Sequence, residues 1–164
     1  MMGIMVREFK CEDIPAMIII WNEIVEEGIA FPQMELLDEK SGQDFFNSQS
    51  FTGVAIEEDT GQIVGLYILH PNNIGRCGHI SNASYAVKSH ERGKRIGEIM
   101  VLHCIAKARE SGFKILQFNA VVSTNIPALC LYAKLGFVQM GTIPGGFLMK
   151  DGSYQDIIPH YCIL

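Results

Sequence analysis

The chain has 164 residues, 48% of them hydrophobic, and a formal net charge of -5 at pH 7. That length and apolar content suit one domain over residues 1–164 with a core that needs no disulfide or metal support. The acidic balance excludes broad nucleic-acid binding, which needs many cationic phosphate contacts. The cysteines, Cys11, Cys77, Cys104, Cys130 and Cys162, are dispersed without metal-ligand spacing and read as reduced thiols. The apolar run Ile14 to Trp21 is too short to span a bilayer, and the chain does not open on a charged segment followed by an apolar signal core. A cytoplasmic location is expected.

In chain order, Met5 to Phe9 suits a first strand. Asp13 then looks like a helix cap, with Pro15 in the first turn and an apolar stripe through Met17, Ile20, Trp21 and Ile24. Ala30-Phe31-Pro32 breaks that pattern, and a weaker helix is expected over Asp38 to Phe46. Thr52 to Glu57 and Gln62 to His70 predict a hairpin turning at Glu58-Asp59-Thr60-Gly61. After the loop Pro71 to Arg76, His79 to Val87 is a strand that feeds a basic loop and then a helix whose period runs from Ile96 to a stop at Ser111-Gly112. Ile115 to Val122 predicts a strand, Asn125-Ile126-Pro127 opens a short helix ending at Gly136, and Phe137 to Met140 is a further strand. Asp151-Gly152 marks another hairpin, and Ile157 to Ile163 supplies a last strand despite Pro159. The order is mixed α/β, with a right-handed crossover over residues 79–122 and a ligand crevice at its C-terminal strand ends.

The basic loop reads as an anion site. The first N–H groups of a helix lack internal partners and lie at the positive end of its dipole, so with Arg92, Lys94 and Arg95 they can hold phosphate oxygens. A dinucleotide fingerprint does not fit, because the motif lies mid-chain without the full GxGxxG spacing, and no GxxxxGK followed by Ser or Thr occurs.

Arg92-Gly93-Lys94-Arg95-Ile96-Gly97 resembles the phosphate loop Gln/Arg-x-x-Gly-x-Gly/Ala of the GNAT superfamily of N-acetyltransferases. The later segment Asn125 to Phe137 is similar to that family's Asn-x-x-Ala-x-x-Leu-Tyr-x-x-x-Gly-Phe element, in the right order and separation. The resemblance covers nearly the whole chain. It implies a mixed, mostly antiparallel sheet of about six or seven strands, with the strands at residues 79–87 and 115–122 splayed like a V and about four helices on both faces. It also implies acetyl-CoA as cofactor, its pantetheine arm bonded to backbone groups of Tyr85, Ala86 and Val87 and its pyrophosphate received by Arg92, Gly93, Lys94, Arg95, Ile96 and Gly97. Arg95 stands where the family carries the first glycine of the loop, and the expectation is φ < 0 with an outward side chain.

Asn125 matches an asparagine near the acetyl end, while being also a good helix cap. Tyr132 matches the tyrosine near the thioester sulfur and is either the acid that protonates the thiolate or a core aromatic. Where many members carry a glutamate base, this chain has Ser81 or Asn82, neither of which takes a proton at neutral pH. Asn82 and Asn119 are unusual in strand interiors; they either hold substrate amine or thioester carbonyl, or satisfy backbone groups where the strands part. Their placement resembles, more faintly, N-acetyltransferases acting on proline analogues such as azetidine-2-carboxylate. His79 is a titratable alternative, and Phe31-Pro32 and Asn72-Asn73 are expected to line the acceptor pocket.

The leading expectation is direct transfer of acetyl to the amine of a small molecule, an amino acid or analogue, in a ternary complex. Acetylation of a protein N-terminus or lysine, and a non-catalytic CoA sensor, are the alternatives. An acyl-cysteine route through Cys77 or Cys130 is weaker, as neither has an evident neighbouring base. A homodimer is left open.

Overall fold

The structure, a computed structural model, describes residues 3–164. Its strands are β1 (Ile4–Glu8), β2 (Phe51–Glu57), β3 (Ile63–Pro71), β4 (Ile80–Val87), β5 (Ile115–Phe118), β6 (Val138–Gln139), β7 (Ile143–Leu148), β8 (Tyr154–Ile157) and β9 (His160–Ile163). Its α-helices are α1 (Ile14–Glu27), α2 (Glu39–Asn47), α3 (Ile96–Glu110) and α4 (Ile126–Lys134). Seven strands form one sheet in the order β1-β2-β3-β4-β5-β9-β6, and β7 pairs with β8 in a separate two-stranded sheet. All neighbours in the large sheet are antiparallel except β4 and β5.

The sheet is covered on both sides, which is why β3 reads as a near-continuous apolar run. Leu66 and Ile68 of β3 pack with Met17, Ile20, Trp21 and Ile24 of α1 and Phe46 of α2. Tyr67 and Leu69 turn to the opposite side, against Ile96, Met100, Cys104 and Ile105 of α3. The helices start where their flanks dictate. The Asp38 carboxylate caps α2 by accepting from Ser41 N–H at 2.7 Å, and Asn125 caps α4 by accepting from Ala128 N–H at 3.3 Å.

Asp13 does not cap α1 as expected. Its carboxylate is turned back to the first strand, accepting from both ends of the Arg7 guanidinium at 2.7 and 3.1 Å and from Lys10 N–H at 2.7 Å. A bidentate guanidinium is a stronger partner for a buried carboxylate than a single helix N–H. Burial opposes its charge, but the hydrogen bonds from Arg7 and Lys10 outweigh that and hold the Asp13 carboxyl below its ordinary value.

Two further expectations fail for one reason. The strand expected over residues 115–122 ends at Phe118, and the last strand, expected over residues 157–163, is split into β8 and β9. Pro159 has no N–H to give, so the ladder of β5 with β9 stops at Phe118 and His160. Pairing resumes beyond the gap, where Ile158 N–H donates to Val121 O and Ser123 N–H to Asp156 O.

Asp13→Ala leaves Arg7 without its partner and is expected to destabilise the chain by about 2–3 kcal/mol. Because the folded carboxyl lies below the unfolded value of about 3.9, this contribution is present above that pH and is lost as pH falls through the folded value. Urea unfolding of both proteins from pH 7 downward checks it, and an unchanged gap between them at low pH would count against the pair.

Candidate active site

β4 and β5 share a parallel ladder only at Ile80–Ile115, Ser81–Leu116 and Asn82–Gln117. Beyond it the chain after β5 bonds to β8, through the Val122–Ile157 bridge, and leaves one edge of residues 83–87 without a strand partner. The other edge stays paired with β3 as far as Gly65–Val87. Tyr85, Ala86 and Val87 thus sit on a strand with one open edge, the geometry that accepts an extended, amide-bearing ligand as an added strand.

A cavity of about 180 Å³ occupies the fork, lined among others by Phe31, Asn82, Tyr85, Asn119, Asn125 and Tyr132. The fold therefore brings together residues scattered over four separate segments. Ser81 and Asn82, left as alternatives by the sequence, are now distinguished. Ser81 is fully buried and its hydroxyl donates to Ile115 O at 2.9 Å, whereas Asn82 lines the cavity and its amide has no hydrogen-bond partner among the described residues. Asn119 is held differently: its Nδ2 donates to Asn72 Oδ1 at 2.6 Å, Asn72 Nδ2 donates back to Asn119 Oδ1 at 3.2 Å, and Gln117 Nε2 donates to the same oxygen at 3.0 Å. Asn125 spends Oδ1 on its helix cap while also lining the cavity.

Tyr132 stacks among Phe118, Phe137 and His160, with ring centroids 4.5, 5.5 and 5.6 Å away. Burial pushes its phenol far above the ordinary tyrosine range, so it stays protonated at neutral pH and is a donor, not a base. Tyr85 is shifted the same way, chiefly by burial, and its hydroxyl is buried without a partner. No carboxylate, imidazole, ammonium or thiol lines the cavity. His79, Cys77 and Cys130 all lie exposed and outside it.

The basic loop lies between β4 and α3 and is curled by two left-handed residues, Gly93 at φ 80° and Arg95 at φ 65°. Arg95 is the sole non-glycine with positive φ among the described residues, so the expectation of φ < 0 there is overturned. Its side chain does point outward, 74% exposed and paired with Glu98, and the backbone adopts the conformation that a glycine in this place would take without strain. The N–H groups of Gly93, Lys94 and Arg95 bond to no acceptor among the described residues, and those of Ile96 and Gly97 open α3. Such a concave run of free donors at a helix start fits an anion.

Three of the loop's cations, Arg92, Lys94 and Arg95, are matched by carboxylates, while Lys88 has no ion-pair partner among the described residues, a feature absent from the sequence reading. Arg92 pairs with Glu27 at 2.7 Å, Lys94 with Glu91, and Glu98 holds both Arg95 and Lys134. Glu23 accepts from Ser89 N–H at 3.1 Å. The spacing of Glu23 and Glu27, one helical turn apart on α1, was the available signal that this face meets a basic partner.

A sheet forked between two parallel strands, with a donor-rich loop at one end and a small cavity at the crotch, has the shape to accept an extended ligand that carries an anionic group. The comparisons with known proteins agree: the model of the acetyltransferase (GNAT) family matches residues 18–137, and the chain belongs to that family. It is 28% identical over 151 residues to the N-acetyltransferase aca1 of Schizosaccharomyces pombe, covering 82% of this chain and 72% of that protein. It is 25% identical over 149 residues to an L-methionine sulfoximine/L-methionine sulfone acetyltransferase of Pseudomonas paraeruginosa, covering 87% and 85%. A GCN5-related N-acetyltransferase structure from Kribbella flavida superposes with a TM-score of 0.89 at 31% identity, covering 98% of both chains. Two further structures of the same fold hold acetyl-CoA. The chain is an acetyl-CoA-dependent N-acetyltransferase.

Arg95→Gly is expected to relieve about 1 kcal/mol of backbone strain, because the exposed pair it removes is worth little. Differential scanning calorimetry should find Tm raised by about 2–4 °C; a lower Tm would mean that the Glu98 pair outweighs the strain.

Proposed function

We propose that this chain acetylates the amine of a small molecule, an amino acid or analogue, by direct attack in a ternary complex. The observation that carries the reading is the forked-sheet cavity, where amides and the two protonated phenols of Tyr85 and Tyr132 converge without a carboxylate, imidazole, ammonium or thiol among the described residues. Its volume of about 180 Å³ suits a small reacting group. The similarity to an acetyltransferase of methionine sulfoximine and sulfone supports a small acceptor.

Bound acetyl-CoA supplies an activated thioester carbonyl. The free donors of Gly93 to Gly97 hold its pyrophosphate, and Glu23 and Glu27 keep the loop in place by gripping Ser89 and Arg92. The open edge of residues 83–87 takes the amide-bearing arm and aims its acyl end at the fork. Asn82 offers an unpaired amide to the acceptor or to the acetyl carbonyl, and Asn119, locked by Asn72 and Gln117, fixes the opposite wall. Tyr132 supplies a proton to the departing sulfur as the N–C bond forms and the C–S bond breaks; the amine releases its proton to water, and water returns one to the Tyr132 phenolate. An acyl-cysteine route has no support, since no cysteine among the described residues lines the cavity.

Tyr132→Phe is expected to lower kcat by about 10²-fold while the acetyl-CoA Kd, measured by calorimetry, stays within about threefold. Unchanged turnover would remove the acid role. With no base in the cavity, the amine must arrive neutral, so kcat/KM should rise about tenfold per pH unit toward the pKa of the amine itself. An inflection between pH 5 and 8 that does not move when the amine is changed would reveal an enzyme base. Initial rates over both substrates should give intersecting double-reciprocal lines. Parallel lines would refute the ternary complex, and heat-shift stabilisation by acetyl-CoA with no turnover on any amine would favour a sensor.

A further inference from the structure

Next to the fork lies a second and larger pocket of about 640 Å³, between the C-terminal end of α1, the segment leading to α2, and the β7–β8 hairpin. Its walls are largely apolar: Phe31, Pro32, Met34, Phe147, Leu148 and Met149. Phe31 and Pro32 line both the pocket and the fork cavity, so the two spaces share a wall. Met34 is 82% exposed and Leu148 49% exposed, large apolar groups left toward water at the place where a ligand entering the fork would pass.

The pocket is built. Lys150 N–H donates to Gly28 O at 3.0 Å, clamping the hairpin tip to the end of α1. Gly28 has φ 61°, and a Cβ there would lie 2.6 Å from the Cβ of Lys150, so the clamp depends on a residue without a side chain. Charge gives the pocket no sign preference, because Glu26 and Lys150 line it as one anion and one cation. One polar group is unspent: the Gln33 side chain lines the pocket, and its Oε1 is buried without a donor. The terminal torsion of a glutamine is broad, so a small rotation turns that amide toward an occupant.

We propose that this pocket binds the non-reacting end of the acceptor, and that the preferred acceptor is an amino acid or related amine whose side chain is an uncharged apolar chain or ring with one N–H or O–H donor for Gln33. This rests on reading the fork as the site of transfer, and it adds what the fork alone does not select. The amine occupies the cavity beside Asn82, and the apolar remainder crosses Phe31 and Pro32 into the larger pocket.

The test is a series of primary alkylamines and arylalkylamines of increasing length, assayed by thiol release at saturating acetyl-CoA, with direct binding of each amine measured by calorimetry. In the wild type, kcat/KM should rise about fourfold per added methylene until the pocket is filled. Leu148→Asp should flatten that slope, with circular dichroism and acetyl-CoA heat shift reporting that the fold is intact. Gln33→Leu should abolish a preference of about 3–10-fold for an amide-bearing chain over its hydrocarbon isostere. Turnover and binding that are both independent of chain length, or a slope that survives Leu148→Asp, would overturn the proposal. Length-dependent binding without turnover would retain the pocket and instead refute the transfer reading.

Discussion

Backbone pairing between β4 and β5 ends at Asn82 and Gln117, and the chain beyond Phe118 keeps its hydrogen bonds on the far side, to the β8 segment. A parallel pair inside a covered sheet would ordinarily continue, since an unpaired backbone group buried away from water is costly. Here the missing N–H of Pro159 interrupts the ladder on the far side of β5, and the two asparagines beside the break carry side-chain amides into the space that opens. The open edge of β4 and the cavity lined by Tyr132 lie where the parallel ladder stops.

The second organising feature is electrostatic. A chain of net charge -5 places a basic loop where the carrier's phosphates are proposed to sit, and it cancels Arg92, Lys94 and Arg95 with carboxylates. These exposed pairs contribute little to stability, but they fix side-chain directions and leave the backbone N–H groups as the uncommitted donors. Recognition by main chain explains why the loop tolerates Arg95 in a glycine's place: the side chain faces water, and the left-handed backbone that the cradle requires is retained.

Much of this was legible from the residues. The hairpin at residues 58–61, the helix over residues 38–46, the helix stops and the loop from Arg92 to Gly97 are local signals, written in turn chemistry and in the 3.6-residue period. What escaped is non-local. Asp13 has the sequence context of a cap, yet Arg7 outbids the helix for it. Asn119 is locked to Asn72, which lies 47 residues away in sequence and which no local signal links to it. The sign of φ at Arg95 was misjudged because a helix-start rule was applied to a residue one step before the helix. The larger pocket was invisible, since its walls come from segments more than 100 residues apart that meet only when the β7–β8 hairpin docks on α1.

Ser81 acquires a further meaning from its position at the last rungs before β4 and β5 part. Its hydroxyl donates to Ile115 O across the strand pair, adding a side-chain tie to the backbone ladder at the apex of the V. Two arms that diverge from a pinned apex behave as a lever. A shift of a few tenths of an ångström beneath Ser81 or Leu116 is magnified toward the open ends, where Asn119 and Val87 lie. Both apex residues are fully buried in close-packed surroundings that yield little. The width of the cleft is therefore set from below by the core, and a substitution at Leu116 would retune it without touching any group that faces the ligand.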